Sequence, residues 1–309
     1  MSILVFGSIN LDLTTYVPHL PALGETLRGH SFITVPGGKG ANQAVAATRL
    51  GAPTKFFGRI GNDAFGREVI PIVQKEGVDM GGLKVDDQHG TGLAVISVDD
   101  KADNAIVIVS GANMALDASD AGRCIGEFEH AKLVMLQLEV PLEASLKVAQ
   151  AAHEKGVKVI WDPAPALELP ADAFHFSDFM TPNEVETGML VGFQPGSIEE
   201  AKKAAGILRQ RGVKAAIIKM GALGAYYESA TESGFMPSFI VNAVDTVAAG
   251  DAFNGGLAAA LMEGKELKEA VRWGSAAGAI ATTKPGAMPS MPYRHELDEL
   301  LLKGRTRTG

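Results

Sequence analysis

Cysteine is nearly missing from this chain. Cys124 is the single thiol in 309 residues, so no disulfide can close within it. No CxxC pair occurs, and the seven histidines lack the spacing of a metal site, which argues against structural zinc. His19, His30 and His89 read instead as polar surface. Positive charge is also short: 28 Lys and Arg stand against 36 Asp and Glu, a formal charge of -8. Broad nonspecific nucleic-acid binding needs a basic face and does not fit. A small anionic substrate does, because local N–H groups and lysines hold phosphate even on an acidic protein. No apolar run approaches membrane-spanning length. The opening Met1-Ser2-Ile3-Leu4-Val5-Phe6-Gly7 has no basic stretch before it and reads as a first buried strand. The GxxxxGK spacing of a Walker phosphate loop is absent as well. What remains is a cytoplasmic protein with small-molecule partners, and with neither nucleic acid nor membrane among them.

The composition that is present is that of an ordinary globular protein, with 46% hydrophobic and 21% charged residues. The length allows one large α/β domain with a small appendage, or two modest domains. Short β-branched runs at Ile3 to Phe6, Lys132 to Leu136, Lys158 to Trp161 and Ala215 to Ile218 alternate with helical patterns such as Leu142 to Glu154 and Ile198 to Arg211. That alternation predicts a mostly parallel sheet covered on both faces, with ligands collected at the carboxyl ends of its strands. Residues 11 to 35 and 88 to 110 break the rhythm. They carry extended patterns with no long helix, including a hairpin around the turn at 99 to 103, and predict a small outer sheet over a cleft or a partner. Lys303 to Gly309 reads as a frayed basic tail.

The densest chemical signal is Ala243-Val244-Asp245-Thr246-Val247-Ala248-Ala249-Gly250-Asp251-Ala252-Phe253-Asn254-Gly255-Gly256. Small residues lead into a helix, so successive backbone N–H groups face an anion at the positive end of the helix dipole. Asp251 beside that point is either a helix cap or a base that takes a proton from a nucleophile attacking phosphate. Gly37-Gly38-Lys39-Gly40-Ala41-Asn42-Gln43 precedes a helical run at Ala44 to Leu50, and its glycines permit close backbone approach to a ligand. Asn10 and Asp12 alternate on an extended segment, so they share a face and suit vicinal hydroxyls, unless they cap a turn. Glu139 ends a strand pattern. Asn183 and Glu186 share a helix face, either supporting a hydrated magnesium ion or satisfying the helix start. Lys219 to Gly224 ends another strand with glycines able to pass close to phosphates or a base.

These motifs together resemble the ribokinase-like carbohydrate kinases, a family sometimes named after a minor bacterial phosphofructokinase. The likeness runs through GSINLD, GGKGANQAVAA, QLE at 137 to 139, the segment Asp162-Pro163-Ala164-Pro165, TPNEVE, KMGALG, AVDTVAAGDAFNGG and KPGAMPS, essentially residues 1 to 295. It implies a single kinase domain over 1 to 309, a three-layer α/β sandwich whose small β-sheet lid is formed by 11 to 35 and 88 to 110. It also implies a homodimer clasped through the lids. The implied reaction is ATP-dependent phosphorylation of D-ribose at its 5-hydroxyl, with deoxyribose, fructose or a nucleoside such as pseudouridine as other acceptors, and a non-catalytic sugar-binding protein as the remote alternative. Carried over, Asp251 is the base and Ala248, Ala249 and Gly250 the anion hole. Asn10, Asp12, Gly38, Lys39, Gly40, Asn42 and Glu139 bind sugar. Asn183, Lys219, Gly221 and Gly224 lie with the nucleotide, and Glu186 supports Mg²⁺ through water. A potassium activator would sit at Asp245, Val247, Ala281, Lys284, Gly286 and Ser290, mostly on carbonyl oxygens; alternatively the Lys284 ammonium supplies that charge. Two positions depart from the commoner pattern: Asp162 where asparagine is usual, and Lys219 where threonine is frequent.

Overall fold

Strand β1 (Ser2–Phe6) shows why its sheet is covered twice: Ile3 and Val5 enter one core, Leu4 and Phe6 the other, and all four are fully buried. Burying a side chain of this size contributes about 1.5–3 kcal/mol, so one polar substitution in β1 would injure one of two cores directly. The computed structural model describes residues 1–101 and 103–307. Ala102, in the expected 99 to 103 turn, and residues 308 and 309 of the expected tail lie outside them.

After β1 come β2 (Asn10–Tyr16), β3 (Ser31–Gly37), α1 (Lys39–Arg49), β4 (Thr54–Gly61), α2 (Ala64–Lys75) and β5 (Asp79–Asp86). Then follow β6 (Gly92–Val98), β7 (Asn104–Val109), α3 (Ala118–Ile125), β8 (Ala131–Leu136), α4 (Leu142–Lys155), β9 (Lys158–Trp161) and α5 (Ala171–His175). The remainder is β10 (Phe179–Met180), α6 (Glu184–Val191), α7 (Ile198–Gln210), β11 (Ala215–Lys219), β12 (Gly224–Glu228), β13 (Ser233–Pro237), α8 (Ala249–Met262), α9 (Leu267–Ala281) and α10 (Arg294–Lys303). Nine strands form the main sheet in the order β13-β12-β11-β10-β9-β8-β1-β4-β5, parallel from β11 to β5 and antiparallel at the β12–β13 edge. Helices α1, α2, α8, α9 and α10 fill one core, and α3 to α7 the other, giving three layers.

The second sheet has the order β3-β2-β6-β7 and comes from the two segments that broke the rhythm. β2 continues directly from the end of β1, so the lid is rooted at the centre of the main sheet. There the order reverses: connections run from β1 outward to β4 and β5, then return to β8 on its other side. A crevice opens at the carboxyl end of strands around such a reversal. Two local expectations are corrected. α1 begins at Lys39 rather than Ala44, because Glu139 and Ser8 accept its first N–H groups from outside the helix. The tail at Arg305–Arg307 is not frayed. Arg305 C=O accepts from Ile240 N–H (2.8 Å) and Arg307 N–H donates to Ser238 C=O (2.9 Å).

Candidate active site

At the start of α8, Ala248 adopts φ 57°, alone among the described non-glycine residues in the left-handed region. Holding alanine there costs of order 1 kcal/mol, a strain of the kind that collects at functional turns. The turn is pinned on one side by Asp245 Oδ1, which accepts from Val247 N–H (3.0 Å), and on the other by Ala252 N–H donating to Ala248 C=O (2.9 Å). The first-turn N–H groups of Ala249 and Gly250 therefore sit at the dipole's positive end, with Ala249 N–H making only a long contact to Thr246 C=O (3.3 Å).

Asp251, one residue on, is buried and held by two amides. Asn42 Nδ2 donates to its Oδ2 (3.0 Å) and Gln43 Nε2 to its Oδ1 (3.1 Å). α1 and α8 can approach this closely because Gly255 faces α1; a Cβ there would stand 2.9 Å from the Ala47 backbone nitrogen. Burial pushes the Asp251 carboxyl up to about 6, with the Asp162 charge adding to the rise and Lys39 and the two amides opposing it. A carboxylate poised near neutrality suits a general base.

One end of the surrounding cleft, about 750 Å³ in all, is polar and lies under the lid. Asn10 and Asp12 point from the same face of β2, and Asn113 Nδ2 orients Asn10 by donating to its Oδ1 (2.6 Å). Glu139 Oε2 accepts from Ser8 Oγ (2.5 Å) and Lys39 N–H (2.9 Å). Burial raises the Asp12 carboxyl to about 7, helped by the charges of Glu139 and Asp251. Burial alone would lower Lys39, but Asp251, Asp162, Glu139 and Glu186 outweigh it and hold the ammonium above its ordinary range. Asn42 Oδ1 is buried with no protein partner, an unmet acceptor beside the cleft. Gly38 adopts φ 88°, and a Cβ on it would stand 3.0 Å from Asn10 N, so it needs to be glycine on both counts. Gly40 does not line the cleft. It packs against Ser8, whose Oγ accepts its N–H (3.3 Å), which helps seat the start of α1. Ala94, Ile96, Ile106 and Ile108 form an apolar roof from the lid.

Away from the lid the cleft is lined by Gly221, Ala222, Gly224, Thr246, Val247 and the small α9 residues Gly278 and Ala279. Asn183 and Glu186 form a capping box: Glu186 N–H donates to Asn183 Oδ1 (2.8 Å), while Glu186 Oε2 accepts from Asn183 N–H (2.7 Å). Both also line the cleft, so the two readings of this pair are compatible. Lys219 reaches Asp162 Oδ1 at 3.0 Å. Behind the anion turn, Asp245 Oδ2 accepts from Gly286 N–H (2.8 Å) and Thr282 C=O from the N–H groups of Val244 and Asp245. Ala281 closes α9 at this loop, and Ser290 Oγ donates to Ala287 C=O (2.7 Å). The Lys284 ammonium pairs instead with Glu296 Oε1 (2.6 Å), away from the cleft, which removes it as the source of charge at the loop.

Sequence reasoning passed over Gln43, Gln137, Asn113, Asp162 and Arg307 as functional residues. Gln43 joins Asp251 to Asp162, and Gln137 Nε2 donates to Gln43 Oε1 (2.7 Å). For Gln43, Gln137 and Asp162 the available signal was their place inside motifs already singled out; Asn113 and Arg307 lie in none of them. Arg307, on the docked tail, also lines the cleft.

A polar pocket, a buried carboxylate and a helix N-terminus meet in one cleft, an arrangement suited to a phosphotransferase that acts on a hydroxyl group. The chain belongs to the pfkB family carbohydrate kinases, whose model matches residues 1–294, and it is a sugar kinase. It is 40% identical to a ribokinase of Haemophilus influenzae over 96% of this chain and 97% of that one. It is 34% identical to a deoxyribokinase of Salmonella typhi, over 97% and 99%. The structure of Arabidopsis thaliana ribokinase complexed with ribose and ATP aligns with a TM-score of 0.89 at 32% identity, covering 97% of this chain and 98% of that one.

Proposed function

We propose that the protein phosphorylates D-ribose at its 5-hydroxyl using ATP. The observation that carries this reading is the placement of Asp251 between a hydroxyl-binding end, with Asn10, Asp12, Lys39, Asn42 and Glu139, and the N–H groups of Ala249 and Gly250. A primary hydroxyl lying over Asp251 gives up its proton there as its oxygen attacks the terminal phosphorus. The anion turn meets the charge on the transferring group, so catalysis is positioning plus electrostatics. Asn183, Lys219, Gly221 and Gly224 face the nucleotide end.

Magnesium would supply charge neutralisation of the triphosphate. No three acidic or histidine side chains among the described residues form a group that could hold a metal alone, which suits an ion carried by phosphates and waters. Glu186, whose oxygens are engaged by Asn183, would reach it through water. Potassium would sit against Asp245 and the carbonyls of Val247, Ala281, Lys284 and Gly286, with Ser290 beside it. The carbonyl-rich, acid-poor loop fits a large monovalent ion.

The edge strand β7 leaves Ile106, Val107, Ile108 and Val109 exposed. That supports a homodimer through the lid sheets. No described helix is long and apolar enough to cross a membrane, and the buried free Cys124 suits the cytoplasm. Deoxyribose is the second reading, favoured by the full-length deoxyribokinase relative. A coupled ADP-release assay across ribose, deoxyribose, fructose and pseudouridine tests the assignment. The highest kcat/KM should fall on ribose, and a far higher value on another acceptor would displace it.

A further inference from the structure

The two departures noted in the sequence, Asp162 and Lys219, lie 57 residues apart and meet in space at 3.0 Å. Their side chains are 2% and 13% exposed, so the carboxylate is sealed while the ammonium keeps an opening onto the cleft. The other oxygen of Asp162 accepts from Gln43 Nε2 (2.9 Å), the amide that also holds Asp251. Nζ of Lys219 stands 3.3 Å from where a Cβ on Gly250 would be, directly over the first turn of α8.

Stability does not explain this pair. A buried ion pair loses about as much in desolvation as it gains in attraction, and a neutral pair of similar shape serves as well or better. Its position explains it. The cleft wall carries Asp12, Glu139, Asp162, Glu184, Glu186 and Asp251 and must still accept a polyanionic nucleotide. Lys39 answers this charge at the sugar end, and Lys219 is the cation beside the anion turn.

Resting on the kinase reading above, we propose that Lys219 is a catalytic cation of the transfer step, with Asp162 as its positioning residue. The ammonium contacts the phosphoryl group as its bond to the departing nucleotide lengthens and its bond to the sugar oxygen forms. It adds a mobile full charge to the fixed partial charges of the Ala249 and Gly250 N–H groups. Asp162, tied to the base through Gln43, sets the distance between that charge and the attacking oxygen.

The experiment compares K219T, D162N and the double variant D162N/K219T with wild type. Readouts are kcat and KM for each substrate, melting temperature, and affinity for ADP with and without aluminium fluoride as a transition-state mimic. K219T should lose about 10²–10³-fold in kcat, the usual cost of removing one charge-stabilising group, with sugar KM unchanged. D162N should lose kcat by a smaller factor. The double variant leaves no unpaired buried charge, so it should melt with the wild type yet turn over as slowly as K219T. Both Lys219 variants should bind ADP normally while losing the extra affinity conferred by aluminium fluoride. A double variant with wild-type kcat would show the pair to be structural and overturn the proposal, as would a loss in K219T confined to KM for ATP. A wild type inactive on every sugar would defeat the kinase reading itself, a failure visible before any variant is made.

Discussion

Asp251 is where the chain concentrates its chemistry, because its environment makes a carboxylate both buried and useful. Replacing it by asparagine keeps the shape and the contact with Asn42 while removing the proton acceptor. Asp251→Asn should lower kcat by about 10²–10⁴-fold with sugar affinity largely intact, measured by steady-state kinetics and calorimetry. A variant retaining a tenth of wild-type turnover would remove Asp251 from the role of base. The raised carboxyls of Asp12, to about 7, and Asp251, to about 6, also set a pH dependence. Asp251 must be ionised to take the proton and Asp12 to accept hydrogen bonds from the sugar hydroxyls, so kcat/KM should fall as pH drops below about 7, and the fall in Asp12→Asn should begin nearer 6. The same shifts act on stability with the opposite sense. Folded values above the ordinary 3.8 mean stability is fullest below that pH and declines as pH rises through 6 to 7. Asp12→Asn should therefore melt higher than wild type at pH 8, with the gain gone near pH 4. Asp251 and Asn42 were legible because each sits in a contiguous motif. Gln43, Asp162 and Gln137 were not, because their meaning lies in contacts spanning 94 to 208 residues.

At the scale of elements, the helices and strands of the main sheet were legible because their periods and closing glycines agreed with the buried pattern. The start of α1 was not. Gly40 and Asn42 have poor helix propensity, and the caps that overcome it come from Ser8 and Glu139, distant in sequence. The docking of Arg305–Arg307 was hidden for the same reason, since its partners are backbone groups at Ser238 and Ile240. The loop pair 243–247 and 282–290 belongs to this scale too. Asp245 binds both strands of it, so an ion held there would order the anion turn without touching sugar or ATP. Potassium titrated against an inert organic cation at constant ionic strength should raise kcat several-fold and change the KM values little. A flat response would eliminate the cation as a functional part while leaving the base and the anion turn as they are.

The whole molecule poses the question of what covers the lid. The sequence revealed a separate apolar sheet but not how its side chains divide. Strand pairing puts Ile106 and Ile108 on the face of Ala94 and Ile96, toward the cleft, and Val107 and Val109 on the opposite face with Val95 and Leu93. A monomer that closed its own lid over substrate would cover the first set and leave the second in water. Val107 at 62% and Val109 at 54% exposure, on a free edge strand, are thus the residues that call for a second copy. A two-fold arrangement answers this with one self-complementary patch, and it fixes the root of each lid so that closure becomes a motion of the main domain against it. Val107→Asp, placed away from the cleft, should convert a dimer at micromolar concentration into a monomer by sedimentation while preserving the fold by circular dichroism. It should also raise the KM for sugar, because a lid that has lost its support spends less time over Asn10 and Asp12. Wild-type protein that sediments as a monomer would rule out the clasp, and Val107 and Val109 would then stay in water whether the lid is open or closed.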